Sequence, residues 1–438
     1  MCPLVRPPAA PLLLPPEAGV LSLGSAGATL DPGAVDAFLA DALRQADFDG
    51  RRVCVLVPDA SRHCPLPVLL DGVHRALAHR VAALDVVVAL GTHPPLGPAR
   101  LAALVGCPEG GISQRYPGMT VANHAWWDPA SFVDLGVVEA ETLHRLSGGL
   151  LDVPVPVRVN RAVADHDVTL IVGPVLPHEV VGFSGGNKYL FPGVSGQELI
   201  DVSHWLGALI TIPEIIGTLG ITPVRALIDT AAALVPSSRL CLAMVVEEGT
   251  DRLHSVHFGS PESAWAAAAQ VAAQAHVRYL DAPVTRVLSL LSARYDDLWT
   301  GAKGIYKVQP VVADGGEIVL YAPGLHEISG THGAAIARVG YHCRDYFTKQ
   351  WDRFGTEAWG VLAHSTHVRG TGTFDPVGGE HNRIRITLAT GIPAAETRGV
   401  GLGYLDPASV DVTAWARDPH TLVVPDAGEV LYRLRQAG

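Results

Sequence analysis

The sequence predicts an α/β protein of two domains, each built on a mostly parallel sheet. Short apolar runs typical of buried strands alternate with helical segments along the chain. The chain has 438 residues, of which 48% are hydrophobic and 17% are charged, which is enough for a large core and more than one domain. Polar residues gather where the predicted strands end, as they do at ligand sites of open α/β sheets.

The first series of elements extends to about residue 280. Valine-rich runs predict strands at 52–58, 84–90, 168–172 and 240–246. Helices are predicted at 65–78 and 96–104. The clearest helix is Pro261–His276, which begins with proline and continues with a run rich in alanine. Residues 277–284 are interpreted as the passage between the domains, which divides the chain into 1–280 and 281–438.

The second series repeats the pattern after residue 281. Strands are predicted at 286–291, 317–321, 359–363 and 422–425. A helix is predicted to open at 299–304 and to run to about 312. The segments 322–333 and 364–373 are predicted to be loops, and both contain histidines.

Three predicted strands of the first series deliver polar side chains at their ends. Ser61 and Arg62 follow the first strand, and Thr92 and His93 follow the second. The third strand leads into the segment that contains His178. Because carboxyl ends of parallel strands share one edge of a sheet, we expect Arg62, His93 and His178 to contribute to one site.

The segment 177–205 has the most informative composition of the chain. It holds one lysine, Lys188, between His178 and His204, and glycines crowd around that lysine. Glycine-rich backbone can approach a ligand closely and can present consecutive N–H groups to an anion. A single lysine beside such a turn can hold a phosphate or can be a point of covalent attachment.

Charge and cysteine usage exclude several classes of partner. The chain has 43 acidic and 32 basic residues, a net charge of −11, which argues against nucleic acid as the main partner. No apolar run is long enough to span a membrane, and the proline-broken N-terminus is a poor signal peptide. Six scattered cysteines without a CxxC pair fit a reducing cytoplasm and offer no zinc site.

Taken together, these motifs resemble lactate racemase and its homologues. The matching residues are Asp59-Ala-Ser-Arg62, Gly91-Thr-His93-Pro94, His178 followed by Gly182-Phe-Ser-Gly-Gly-Asn-Lys188, and His204. The resemblance covers most of the chain, because Lys303 continues the pattern in the second half. The shared spacing of His178, Lys188 and His204 makes it specific, whereas Gly-Thr-His alone is a weak signal.

The resemblance implies a nickel-pincer nucleotide as cofactor. Lys188 would be joined to it through a thioamide, and His204 would be the protein's ligand to nickel. Domain 1–280 would be the cofactor-tethering domain of the lactate racemase N-terminal type, and 281–438 would complete the substrate pocket in a cleft between the two. The remaining implied site residues are His93 and His178 as the acid/base pair, Arg62 and Lys303 on the substrate, and Asp59, Ser184, Gly185 and Gly186 on the cofactor.

The chemistry of 2-hydroxy acids fits these residue types. Direct inversion at C2 would require removal of a weakly acidic C–H beside a carboxylate, whereas a hydride-accepting cofactor avoids that carbanion. Two histidines suit the reaction because each can take or return a hydroxyl proton near neutral pH. The expected activity is therefore that of an isomerase, a racemase or C2-epimerase of 2-hydroxy acids.

Two departures from the lactate enzyme bear on the substrate. Trp299 and Thr300 stand where that enzyme has tyrosine and glutamine. The segment 364–373 is more polar than a pocket for a methyl group requires. We therefore expect Trp299, Thr300, His367 and Arg369 to contact a polar substrate, a sugar acid such as an aldonate, with malate next and lactate last.

Two other classes of function stay open at this stage. His93, His178 and His204 could surround zinc in a hydrolase, although no carboxylate lies at a fixed offset as in HExxH. A non-catalytic binding protein is the other alternative, but binding alone does not need two bases. The expected partners are a small 2-hydroxy acid and the proteins that synthesise the cofactor, and a homo-oligomer is compatible with the sequence.

Overall fold

The computed structural model describes residues 19–91 and 93–435, in which the chain forms two compact units. The predicted Pro-rich start and Thr92 lie outside the described residues. The first unit comprises the chain up to Leu176 together with Ser184–Ile200 and Arg225–Ala275. The second unit comprises Pro177–Phe183, Asp201–Val224 and the chain from His276 onward.

The division differs from the one expected at residue 280 in two places. The main change of unit falls between Ala275 and His276, a few residues earlier. Two short segments within the first 280 residues belong to the second unit, and they carry His178 and His204. Lys188, which lies between them in sequence, belongs to the first unit.

Helices occur throughout both units, and most are short. Their bounds are α1 Pro32–Gln45, α2 Leu66–Leu77, α3 Pro98–Leu104, α4 Ile112–Arg115, α5 Ala140–Ser147, α6 Arg161–Asp165, α7 Gln197–Ile210, α8 Ile212–Ile215, α9 Pro223–Ala232, α10 Pro261–His276, α11 Leu298–Gly301, α12 Lys303–Tyr306, α13 Gly333–Val339, α14 Arg344–Thr348, α15 Trp351–Phe354, α16 Trp359–Arg369, α17 Ala394–Gly399 and α18 Val412–Ala416.

The strands form two main sheets and several two-stranded ribbons. Their bounds are β1 Leu21–Gly24, β2 Arg52–Val57, β3 Ala83–Val88, β4 Met119–Asn123, β5 Phe132–Val138, β6 Val155–Asn160, β7 Val168–Pro174, β8 Pro177–His178, β9 Gly182–Phe183, β10 Ser238–Val246, β11 Leu253–Gly259, β12 Val277–Leu280, β13 Val284–Leu291, β14 Val312–Ala322, β15 Gly372–Asp375, β16 Gly379–Asn382, β17 Arg385–Thr390, β18 Gly403–Tyr404, β19 Thr421–Ala427 and β20 Leu431–Leu434.

The sheet of the first unit has a topological switch point between β2 and β7. Its strand order is β1-β11-β10-β7-β2-β3-β4, and the five strands from β10 to β4 are parallel. The chain moves from β2 to β3 and β4 on one side, and β7 then pairs on the other side of β2. In open α/β sheets, ligands bind beyond the carboxyl ends of strands at such a point. The turns at Asp59–Arg62 and at Lys188 follow these two strands.

The sheet of the second unit is wholly parallel, in the order β18-β17-β14-β13-β19. Its switch point lies between β13 and β19, because β14 and β17 extend to one side of β13 and β19 returns to the other. The chain that leaves β13 leads directly into α11 and α12, which carry Thr300 and Lys303. Thr300 and Lys303, two of the predicted substrate residues, therefore follow the carboxyl end of β13, where open α/β sheets bind ligands.

Most predicted elements are confirmed. The strands at 52–58, 84–90, 168–172 and 240–246 are β2, β3, β7 and β10, and α10 has the predicted bounds. The predicted helix after 299 is divided into α11, α12 and a 3-10 turn, Gln309–Val311. The mixed α/β class with mostly parallel sheets is therefore correct.

The predicted strand at 359–363 and loop at 364–373 are wrong, because residues 359–369 form one helix, α16. Every residue of α16 from Gly360 to Val368 is buried. A helix buried on all sides loses the alternation of polar and apolar residues that marks a surface helix. An apolar run followed by a polar run then resembles a strand and a loop.

The described cysteines are all free thiols, and of these Cys54, Cys107, Cys241 and Cys343 are buried. Burial raises the pKa of Cys241 to about 12 and that of Cys343 to about 11. Both thiols are therefore protonated and unreactive at neutral pH. Among the helices in the described ranges, none has the length and apolar character needed to cross a bilayer.

A buried histidine in the first sheet couples stability to pH. His257 on β11 is 3% exposed, and its ring nitrogens pair with the hydroxyls of Ser22 at 2.8 Å and Ser255 at 2.9 Å. Burial lowers the pKa of His257 to about 4. Between pH 4 and 6.5 the histidine binds a proton in the unfolded chain but not in the folded one. The contribution of neutral His257 to the free energy of unfolding is therefore complete above pH 6.5 and falls as the pH drops towards 4.

The wild-type protein should lose about 2 kcal/mol more of its free energy of unfolding between pH 7 and pH 5 than the His257→Gln variant does. The reason is that the variant lacks the histidine that must stay neutral in the folded state. Chemical denaturation of both proteins at the two pH values measures the difference. His79→Gln is the control, since His79 is exposed. An unchanged pH dependence in His257→Gln would contradict the assignment.

Candidate functional site

Asp59 orients His93 at the carboxyl end of the first sheet. Asp59 Oδ2 accepts a hydrogen bond from His93 Nδ1, and both side chains are largely buried. Asp59 Oδ1 accepts from the backbone N–H of Ser61 at 3.2 Å and from its hydroxyl at 2.7 Å. Both carboxylate oxygens are thus engaged within the protein. Asp59 was expected to contact a cofactor, and the structure gives it a role in positioning His93.

This contact decides where neutral His93 carries its proton. A carboxylate only accepts, so the Nδ1 of His93 is the donor and Nε2 holds the lone pair. The ring therefore presents a base at Nε2. An aspartate that holds an imidazole in this tautomer prepares it to take a proton from a hydroxyl group.

The turn that contains Lys188 depends on its glycines. Lys188 lies in a 3-10 turn, Gly186–Tyr189, after Gly185 with φ of 87° and Gly186 with φ of 58°. A Cβ on Gly185 would lie 2.6 Å from a methyl carbon of Val175, and one on Gly186 would lie 2.9 Å from Cβ of Trp265. Only glycine fits both positions, and the backbone of the turn is thereby fixed.

Ser184, Gly185 and Gly186 were expected to contact a cofactor. The hydroxyl of Ser184 accepts from the N–H of Leu176 at 3.0 Å, and its own N–H donates to the carbonyl of Leu176 at 2.8 Å. These contacts hold the turn against the end of β7. The side chain of Ser184 is therefore part of the support of the turn.

A polar network behind the turn fixes Asn187, the neighbour of Lys188. Its amide nitrogen donates to Asp229 at 2.9 Å and to Glu262 at 2.7 Å, and its carbonyl oxygen accepts from Arg239 at 2.9 Å. Buried Arg225 donates to the carbonyl of Gly185 at 3.0 Å. This network leaves little freedom to the backbone that carries Lys188.

Arg225 also stacks on the ring of Trp265, with its guanidinium carbon 4.1 Å from the ring centroid. Burial lowers the pKa of Arg225 to about 10, so it remains charged at neutral pH. The sequence analysis missed Arg225, because only a tertiary contact connects it to the turn. It included Asn187 in the motif but gave it no role, because the partners of its amide lie far away in sequence.

Lysine is rare in this chain, and its positions are informative. The sequence contains four lysines, Lys188, Lys303, Lys307 and Lys349, against 28 arginines. Lys303 and Lys307 are buried, Lys188 is partly buried and Lys349 is exposed. The chain uses arginine for most of its positive charge and places three of its four lysines at buried or partly buried positions. The rarity of lysine is therefore a sequence signal for the functional importance of these positions.

Arg62 belongs to the same end of the first unit. Burial raises the pKa of Tyr189 well above its usual value, and the positive charge of Arg62 opposes that rise. Arg62 therefore lies within electrostatic reach of the residue that follows Lys188. The turn after β3 is also tied to the Lys188 turn, because Gly91 N–H donates to the carbonyl of Gly193 at 2.9 Å. The first unit thus brings together Arg62, His93 and Lys188.

In the second unit, His178 is held in the opposite tautomer to His93. The backbone N–H of Val180 donates to its Nδ1 at 3.1 Å, so neutral His178 carries its proton on Nε2. The carboxylate of Glu179 lies 3.5 Å from the same Nδ1. His178 and Glu179 are both buried. The sequence analysis did not single out Glu179, although it follows His178 directly.

His204 lies on α7 within a cluster of histidines. Burial lowers the pKa of His364 well below its usual value. The nearby side chains of His367, His332, Lys303 and His204 lower it further, because each is cationic when protonated. Burial likewise lowers the pKa of His367 to about 4, against the opposing charge of Glu179. His364 and His367 are therefore neutral at pH 7, and both lie within electrostatic reach of His204.

Trp299 is part of an aromatic stack in the second unit. Its ring centroid lies 4.1 Å from that of His332 and 4.0 Å from that of His364. The two nitrogens of His364 pair with the hydroxyls of Tyr306 at 2.9 Å and Tyr341 at 3.3 Å. The stack fixes the orientation of Trp299, whose side chain remains partly exposed.

Thr300 and Lys303 follow Trp299 at the start of α11 and α12. The hydroxyl of Thr300 donates to Asp297 at 2.8 Å, and its N–H donates to the same oxygen at 3.0 Å. Asp297 thus caps α11 and holds the Thr300 side chain. The amine of Lys303 donates to the carbonyl of Thr300 at 3.4 Å and lies 5.7 Å from the ring centroid of Tyr295.

His367 and Arg369, predicted together as substrate contacts, have different surroundings on α16. His367 is 3% exposed and lines a cavity in the second unit. Arg369 donates to the carbonyl of Gly401 at 3.1 Å and does not line that cavity. The structure therefore separates the two residues.

Within the described ranges, no group of three or more His, Cys, Asp and Glu side chains could together hold a metal ion. A metal with a single protein ligand, as implied for His204, does not require such a group.

Comparison with known family models finds a similarity in the first part of the chain. Residues 34–212 match the lactate racemase N-terminal domain. This match spans the Asp59, His93, His178, Lys188 and His204 motifs. Over these residues the chain is similar to the lactate racemase family.

Two solved structures share the fold over most of the chain. A crystal structure of a protein from Thermotoga maritima is 29% identical, with a TM-score of 0.86, and the match covers 94% of this chain and 100% of that one. The lactate racemase apoprotein from Thermoanaerobacterium thermosaccharolyticum is 16% identical, with a TM-score of 0.66, covering 90% and 88%. The second likeness concerns the fold alone. Among proteins of curated function, none matches the sequence.

We expect Asp59→Ala to change the tautomer of His93, because the acceptor for its Nδ1–H is lost. The ¹⁵N chemical shifts of the labelled ring should move from the Nδ1–H form towards the Nε2–H form. Asp85→Ala is the matched control, since it removes the acidic partner of His166, 2.7 Å away. Identical His93 shifts in wild type and Asp59→Ala would show that Asp59 does not set the tautomer.

Proposed function

We propose that this protein is a racemase or C2-epimerase of polar 2-hydroxy acids that uses a nickel-pincer nucleotide. The match of residues 34–212 to the lactate racemase N-terminal domain supports the class of activity. The observation that carries the proposal is the preparation of two histidines. His93 is held by Asp59 with a free base at Nε2, and His178 carries its proton at Nε2. A reaction that inverts one carbon needs a proton acceptor and a proton donor.

The residues present fit this cofactor by their chemistry. Lys188 offers a primary amine for covalent attachment on a turn that glycines and a buried network hold rigid. His204 offers one imidazole, a ligand type that suits nickel. When bound, the cofactor would supply a reversible acceptor for the C2 hydrogen as a hydride. All other tasks fall to side chains of this chain.

His93 would take the hydroxyl proton of one stereoisomer. Its Nε2 is the free base, and Asp59 stabilises the imidazolium that forms when the proton arrives. The hydroxyl oxygen then gains electron density as its hydrogen leaves, which favours departure of the C2 hydrogen with its electron pair. This step yields a planar 2-keto acid, open to addition from either face.

His178 would serve the other stereoisomer. To donate a proton and end as a neutral imidazole, it must first be an imidazolium, with protons on both nitrogens. Its Nδ1 lies 3.5 Å from the Glu179 carboxylate, which would stabilise that charged form while the Val180 N–H contact is given up. The Nδ1 atom of His178 thus has a donor, the Val180 N–H, and an acceptor, Glu179, beside it. This arrangement supports both the neutral and the protonated form, as a residue that takes and gives protons requires.

Arg62 and Lys303 would bind the anionic end of the substrate. Each can donate charge-assisted hydrogen bonds to a carboxylate or hydroxyl. The buried amine of Lys303 gains little from water, so a substrate oxygen is a favourable partner for it. Fixing the carboxylate leaves the C2 hydroxyl to the histidines.

We expect Lys188→Ala to abolish both covalent modification and activity when the protein is produced together with the cofactor-synthesis proteins. Intact mass spectrometry and peptide mapping should find an added mass on Lys188 in wild type and none in the variant. Lys349→Ala, which changes an exposed lysine, is the control and should retain the added mass. Full activity in Lys188→Ala would overturn the proposal.

We expect the C2 hydrogen of the substrate to be retained during racemisation in D₂O, because it leaves and returns as a hydride and not as a proton. Proton NMR of the racemised product measures the retention. His93→Gln and His178→Gln should each lower kcat/KM by about 10²- to 10⁴-fold in both directions, since the equilibrium constant links the two rates. Incorporation of deuterium at C2 would instead indicate a proton-transfer racemase.

A further inference from the structure

The second unit contains a small cavity lined by hydrogen-bond donors. Its volume is about 60 Å³, and its polar lining residues include Thr211, Gln309, Arg344, Thr366 and His367. No carboxylate is among the residues that line it. A space of this size holds a group of a few heavy atoms and excludes a whole sugar acid.

Two of these side chains have polar atoms without a protein partner. Considering only the residues that the structure describes, the Thr366 hydroxyl and both ring nitrogens of His367 are buried and make no hydrogen bond. Thr366 is 5% exposed and His367 is 3% exposed. Buried polar groups in folded proteins are almost always paired, so unpaired ones on residues that line a cavity indicate a ligand.

Arg344 supplies positive charge to the same cavity. One of its terminal nitrogens donates to the carbonyl of Leu209 at 2.9 Å, and the other lies 3.5 Å from Asp345. The contact with Leu209 fixes the direction of the guanidinium, which keeps N–H groups for a further acceptor. Gln309 is not such a donor, because its amide nitrogen already donates to the carbonyl of His367 at 2.8 Å.

We propose that this cavity binds an oxyanion, a carboxylate or a phosphate, at the end of the substrate remote from C2. The inference rests on the proposed function and narrows its substrate class to hydroxy acids with a second anionic group. Arg344 provides the charge, and Thr366 and His367 provide neutral donors. A single hydroxyl group of a substrate would leave some of these donors unpaired, because a hydroxyl oxygen accepts only two hydrogen bonds.

His367 connects the cavity to the rest of the site. It lines the cavity, and it lies within electrostatic reach of both His204 and Glu179. Glu179 is not among the lining residues, so its negative charge does not occupy the cavity.

Binding to the full-length, cofactor-free protein tests the cavity independently of catalysis. Inorganic phosphate, measured by isothermal titration calorimetry, is the probe. We expect wild type to bind it, and Arg344→Met and Thr366→Val to weaken binding, the former by about 10- to 100-fold. Arg338→Met is the control, because Arg338 pairs with Glu357 at 2.9 Å and does not line the cavity. Equal phosphate affinity in wild type and both cavity variants would overturn the proposal, as would no binding in wild type.

Turnover by the cofactor-loaded enzyme then identifies the source of the oxyanion. Malate carries a second carboxylate, 6-phosphogluconate a phosphate, and gluconate neither. We expect Arg344→Met to raise KM for the preferred of the first two by about tenfold or more, with a smaller change in kcat. A wild type that prefers gluconate, with unchanged kinetics in Arg344→Met, would refute the proposal. If the loaded enzyme turns over none of the three, the proposed function fails, while the phosphate measurement still decides whether the cavity binds an oxyanion.

Discussion

The parallel pairing of β2 with β7 is the constraint on which the first unit depends. These strands are neighbours in the sheet, although more than a hundred residues separate them in the chain. Because they are parallel, the turns that follow them emerge at the same edge. That edge receives the Asp59–Arg62 turn, the Lys188 turn and, from the next strand, His93. Every assignment made to this unit follows from that register, since a lysine or a histidine in isolation would carry no chemistry.

The support of the site is built mainly from buried polar groups. Asp59 sets the tautomer of His93, Val180 and Glu179 compete for one nitrogen of His178, and Asn187 and Arg225 hold the backbone beside Lys188. Such groups are costly to bury unless they are paired. The residues that do chemistry are few, and a larger number of residues fixes their proton positions and directions.

Sequence patterns predicted the parts of this molecule that follow local rules. Valine-rich runs located β2, β3, β7 and β10, and a proline followed by alanines located α10, because these signals are independent of distant contacts. The helix α16 was missed because burial on every side removes the periodicity that marks a helix. The motif residues were found by spacing and type. The side chains that support them, such as Arg225 behind the Lys188 turn, could not be found, because each contacts the site across many residues of sequence. The contact of the Thr300 hydroxyl with Asp297 is local, but the sequence analysis did not consider Asp297 as a helix cap.

The scarcity of lysine has a consequence for how a reactive cofactor would find its place. Most proteins of this size present many surface amines, and each would compete for an electrophile. Here Lys307 donates to a backbone carbonyl at 2.7 Å in the interior, Lys303 is buried, and Lys349 is the exposed exception. A cofactor that reacts with amines would therefore meet few competing lysines on this protein. In this respect the scarcity of surface amines would limit attachment of the proposed cofactor to unintended positions.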